Sequence, residues 1–154
     1  MKAALSVLAC FALAACNPVC GGKSSGATGT GWKLTLSGPA AGTLSSGTSD
    51  CQAFTASKHF GYGLNGQLDS KQVVLSITVY SNFTGQGTYK VGSVLDGAGE
   101  LRLQVGSYVG STTTGAGALT VNPDGRSGTV DADLPQGEHV KGSWTCDKYE
   151  SLSG

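Results

Sequence analysis

Hydrophobic residues in this chain recur at every second position, and that period decides the class of fold. Successive side chains of a β-strand point to opposite faces, so alternation marks a strand with one buried face, whereas an amphipathic helix repeats every three or four residues. Trp32, Leu34 and Leu36 alternate with Lys33 and Thr35. Val73, Leu75, Ile77 and Val79 share one face of the longest run, opposite Ser76 and Thr78. Leu101, Leu103 and Val105, then Leu119 and Val121, then Val130, Ala132 and Leu134 continue the pattern. Val140, Gly142, Trp144 and Cys146 make one face of the last predicted strand, with Trp144 in the core beside Cys146. Charged residues are only 13% of the chain and 25 residues are Gly, so helices would lack the Lys, Glu and Arg that cover their exposed faces. No segment reads as a helix.

Turn chemistry separates these runs. Asn122-Pro123-Asp124-Gly125 puts Pro where φ is fixed and Gly where a positive φ is needed. Asp96-Gly97 is expected to join strands around Tyr89–Leu95 and Glu100–Val109, and Asn65-Gly66 is a further expected turn. The spacing predicts an all-β, antiparallel β-sandwich or barrel of about eight or nine short strands. Alternation is common to both architectures and does not choose between them.

The first residues follow a different logic. Lys2 opens a short positive region, and Ala3 to Ala15 form an apolar stretch broken only by Ser6. At about 1.5 Å per residue this is too short to cross a hydrocarbon core of roughly 30 Å, and it fits the hydrophobic region of a signal peptide. It ends in Leu13-Ala14-Ala15-Cys16, which resembles the lipobox of bacterial lipoproteins. The resemblance implies a diacylglycerol on the Cys16 thiol, cleavage just before it and acylation of the new amine. Cys10 has too little apolar sequence before it, and Cys20, after Pro18-Val19, departs from the pattern. Each buried methylene contributes about 0.8 kcal/mol, so two or three acyl chains would hold the protein firmly in a membrane. Asn17, rather than Asp, follows Cys16; by analogy with enteric bacteria this permits transfer to an outer membrane.

The expected organisation is therefore a signal peptide over 1–15, the lipidated Cys16 and a Gly/Ser/Thr-rich tether over 16–31, one β domain over 32–150 and a tail over 151–154. The tether composition cannot bury a core, and its residues 17–31 would reach about 20 Å as a flexible chain. Export places Cys20, Cys51 and Cys146 in an oxidising compartment. Cys51 and Cys146 lie in β-patterned segments at opposite ends of the domain, so a Cys51–Cys146 disulfide is expected, with Cys20 left odd in the tether. Ser127–Leu134 followed by Gly142-Ser143-Trp144-Thr145-Cys146 resembles the C-terminal part of lipoproteins of actinobacteria and other bacteria. Small β-domain surface lipoproteins of mycobacteria also have a mid-chain and a near-terminal cysteine. This resemblance implies topology and a disulfide, and it brings no catalytic residues.

Chemistry is sparse. Formal net charge is zero and no basic run exists, which disfavours nucleic acid as a partner. His59 and His139 are the only histidines, and neither has metal-ligand spacing. His139 is expected in a solvated loop after Glu138, and His59 at the surface. Asp131 and Asp133, two apart, share one strand face; such pairs bind Ca²⁺ or serve sugar hydrolysis, but Val130, Ala132 and Leu134 take the inward face and leave the aspartates in water. No Gly-x-Ser-x-Gly elbow is present, and Gly21-Gly22-Lys23-Ser24 lacks the strand and the glycine spacing of a phosphate loop. Among Trp32, Phe60, Tyr62, Tyr80, Phe83 and Tyr108, core packing is the expected role for most. An exposed aromatic platform for sugar rings or a partner is the alternative, with Tyr80 facing opposite to Val79.

The expectation is a non-enzymatic, lipid-anchored envelope lipoprotein, facing the periplasm or cell exterior, whose β domain does structural, adhesive or ligand-binding work. No catalytic residue, metal or cofactor is assigned, and an envelope glycan or protein is the expected kind of partner. The rival expectation is a small surface hydrolase assembled from Asp131, Asp133 and His139; an inhibitor-like module is a third.

Overall fold

The computed structural model describes residues 32–93 and 99–153. Cys10, Cys16, Cys20, the expected signal peptide and tether, and the Asp96-Gly97 turn lie outside them. Twelve strands run through the described residues: β1 Lys33–Ser37, β2 Gly42–Leu44, β3 Gly47–Phe54, β4 His59–Leu68, β5 Lys71–Val79, β6 Gly87–Val91, β7 Glu100–Val105, β8 Tyr108–Ser111, β9 Ala116–Val121, β10 Ser127–Asp133, β11 His139–Thr145 and β12 Lys148–Leu152. They form two six-stranded sheets, ordered β2-β1-β11-β10-β9-β6 and β12-β3-β4-β5-β7-β8. The fold is a β-sandwich, and the sheets do not close into a barrel.

The alternation explains the layers. Every second residue of β1, β5, β7 and β10 is buried, and these side chains join one core shared by both sheets. Phe60 and Tyr62 of β4 meet Trp144 of β11 across the core, with ring centroids 5.8 and 5.2 Å apart. The disulfide Cys51–Cys146 ties β3 to the connection between β11 and β12, its Cα atoms 5.7 Å apart. Gly128 lies opposite Trp144 in the β10–β11 register. A Cβ on Gly128 would come within 2.7 Å of the indole, so only glycine leaves room for the ring.

The turns divide into agreement and correction. Asn122–Gly125 closes the β9–β10 hairpin: Gly125 N–H donates to the Asn122 carbonyl at 3.0 Å, and Gly125 has φ 66°. Asn65-Gly66, in contrast, lies inside the ten-residue β4, where Gly66 pairs with both Gly47 and Val73. The true reversal is Asp69-Ser70, with φ 47° and 68°, the two left-handed residues of a type I′ turn. The strands on either side of Asp96-Gly97 are not a hairpin, because β6 pairs with β9 in one sheet and β7 with β5 in the other. Strand β12 runs parallel to β3 and extends to Leu152, into the segment expected to be a tail. The short strands β2, β8 and β12 raise the count above the expected eight or nine.

Candidate functional site

A groove of about 470 Å³ opens where the chain passes from β2 into β3. Its side chains are Ser46, Thr48, Asn65, Gln67 and Gln72. Two constraints put them together. The β3–β4–β5 register sets Thr48 beside Asn65 and Gln67 beside Gln72, all pointing away from the core. Gly47 and Gly66 then allow close approach beneath them; a Cβ on Gly66 would sit 2.8 Å from the Ser46 carbonyl oxygen. None of the five side chains carries a charge. Each amide both donates and accepts hydrogen bonds, so the lining suits a ligand that does the same.

The same outer face carries two further groups. Phe54, His59 and Tyr80 pack edge to face, with centroids 5.6 and 5.9 Å apart, and Tyr80 remains 39% exposed. The Tyr80 hydroxyl donates to Glu100 Oε2 at 2.8 Å, while Glu100 Oε1 accepts from Arg102 Nε at 2.8 Å and Ser111 Oγ at 2.7 Å. Arg102 is the main cause holding the Glu100 carboxyl down, at about 2, with Ser111 and Tyr80 adding to it against the cost of burial. Burial first, and the bond to Glu100 second, push the Tyr80 phenol up. The network fixes the ring of Tyr80 in place.

The opposite face of the sandwich holds the pair singled out in the sequence. Asp131 and Asp133 are exposed, as expected. His139 is not in a loop: it opens β11, and its register partner in β10 is Asp133. His139 Nδ1 lies 2.8 Å from Asp133 Oδ1 and Nε2 lies 3.2 Å from Asp131 Oδ1, while Lys141 Nζ meets Asp131 Oδ2 at 2.7 Å. The contact to Asp133 is a hydrogen bond, and the one to Asp131 is an ion pair when the ring is protonated. The bond from Lys141 is the main cause keeping Asp131 below the usual carboxylate range. The cluster lies on an open sheet face rather than in a cleft, and among the described residues no three His, Cys, Asp or Glu are placed to hold a metal.

The aromatic residues separate cleanly. Trp32, Phe60, Tyr62, Phe83 and Trp144 are buried, Tyr108 is half-buried with its hydroxyl on the Pro135 carbonyl at 3.0 Å, and Tyr80 is exposed. The amides of the groove carry no motif in the sequence. The signal available was glycine inside an alternating strand, at Gly61, Gly63 and Gly66. Compared with protein-family models, with curated proteins and with solved structures, the chain matches none.

Proposed function

We propose that this chain is a lipid-anchored lipoprotein of the cell envelope whose β-sandwich is a non-enzymatic binding module. The anchor rests on the resemblance of Leu13-Ala14-Ala15-Cys16 to a lipobox. The binding role rests on the groove, where amides and hydroxyls from three strands and a crossover meet without being used to hold the fold. Cys16→Ala is expected to abolish palmitate labelling and release the protein from membranes; a mutant that still labels and stays in place refutes the anchor. For the binding role, a photo-crosslinking amino acid at the exposed rim position Gln72 is expected to give a light-dependent adduct in cells. Absence of any adduct removes the binding module.

One observation favours a second reading, a surface hydrolase: His139 lies within reach of two carboxylates. In that case Asp133 would orient the imidazole as a general base. Loss of ester or glycoside hydrolysis by purified His139→Ala would support it.

A further inference from the structure

We propose that the outer face of the second sheet binds a linear, neutral, hydroxyl-rich glycan laid along β4, from the amide groove to the ring of Tyr80. The proposal rests on the binding-module reading and names the ligand class. Outward positions of β4 are His59, Gly61, Gly63, Asn65 and Gln67. The strand therefore has amides at one end, an aromatic step at the other and no side chains between. At roughly 3.4 Å per residue the lane is about 27 Å long, room for several sugar rings in line.

Its floor is glycine without a backbone reason at Gly61. That residue does not have a left-handed φ, and a Cβ there would meet nothing within 4 Å. Glycine in a strand interior weakens it, and where neither a bend nor tight packing needs glycine, close approach of a ligand is the remaining use. At Gly63 the space is overhung by Asp50, whose Oδ1 would lie 3.2 Å from a Cβ. The register walls the lane with Thr48, Asp50 and Gln52 from β3 and with Ser76 and Thr78 from β5.

The chemistry selects among ligands. Asp50 overhangs the lane and would repel an anionic chain, while Lys148, its register partner in β12, lies on the far side of β3 from the lane. An apolar ligand would leave three amides unpaired, at a cost of about 1–3 kcal/mol for each group so buried. An extended peptide adds to a sheet through a free edge, and β4 has none because β3 and β5 pair with it on both sides. Sugar hydroxyls suit the amides and Asp50, and a ring face suits Tyr80.

The test uses the mature lipidated protein in detergent micelles, with cellohexaose and chitohexaose as neutral probes and a hexagalacturonate as the anionic control. Titration calorimetry is expected to show binding of a neutral hexasaccharide and none of the anionic one. Gly61→Leu puts a side chain into the lane where a Cβ meets nothing within 4 Å, so it is expected to weaken binding by at least about tenfold while the unfolding midpoint does not fall. Tyr80→Ala is expected to weaken the hexasaccharide more than the corresponding disaccharide, which fills the groove alone. The proposal is overturned by failure of the folded protein to bind either neutral probe, by preference for the anionic one, or by indifference to Gly61→Leu. If the neutral probes fail while the cross-linker at Gln72 still captures a protein, the glycan is wrong and the binding module stands. If both fail, both readings fall.

Discussion

Glu138 and Ala40, 98 residues apart, are joined by a buried hydrogen bond in which the Ala40 N–H donates to Glu138 Oε2 at 2.8 Å. This contact ties the turn after β1 to the residue just before β11, the strand that pairs with β1. Glu138 is only 1% exposed, and its Oε1 finds no hydrogen-bond partner among the described residues. Glu138→Leu would strand the Ala40 N–H and is expected to cost about 1–3 kcal/mol. Glu138→Gln keeps an acceptor and should lose less. Urea unfolding of the two variants checks this, and equal losses would show that the hydrogen bond contributes nothing.

The Cys51–Cys146 disulfide spans 95 residues and joins β3 to the β11–β12 connection. In the chain-entropy view a closure of that length stabilises by about 4–5 kcal/mol. Replacing both cysteines with Ala is expected to lower the denaturant midpoint substantially, and reductant should do the same to the native chain but not to the double variant. Peptide mapping that found Cys51 bonded to Cys20 would contradict the pairing.

Glu100 makes stability depend on acid pH. Its carboxyl titrates near 2 in the folded protein against an ordinary 4.5, so the unfolded chain takes up the proton first. The stabilisation is therefore complete above about 4.5 and is lost as pH falls from there toward 2. Thermal unfolding midpoints measured across that window should fall more steeply for the native protein than for Glu100→Gln. Parallel profiles would mean that the Arg102, Ser111 and Tyr80 contacts do not discriminate the charged form.

Ser70 sits at φ 68° in the β4–β5 turn, a conformation that costs an ordinary side chain about 1–2 kcal/mol. Glycine relieves that cost but adds freedom to the unfolded chain, so Ser70→Gly is expected to stabilise by a few tenths to about 1 kcal/mol. A calorimetric midpoint that drops would show that the serine is favoured there for another reason.

This turn also shows how far local sequence reaches. Asn-Gly is the stronger hairpin signal, yet Asn65-Gly66 is drawn into a strand because Thr48 and Gly47 on one side and Val74 and Val73 on the other complete its pairing. Asp69-Ser70 has weaker turn chemistry and takes the reversal because Leu68 and Lys71 close the ladder there. Turn preferences amount to about 1 kcal/mol, and a full register of paired strands outweighs them.

The sequence by itself determined the all-β class, the inward and outward faces, the burial of Trp144 and the pairing of Cys51 with Cys146. All but the last follow from one local fact, that side chains alternate across a strand, so the period of hydrophobicity is also the pattern of burial. The disulfide followed because only one pair of cysteines lay in strand-like sequence. Tertiary structure alone decided that the sheets form an open sandwich, that β12 joins β3 in parallel, that Glu138 is buried and that His139 lies between two aspartates. It also assembled the groove, whose amides come from strands that are neighbours only after folding. These features depend on contacts between distant segments, where each residue's neighbours are set by the register of the whole sheet rather than by the residues beside it in the chain.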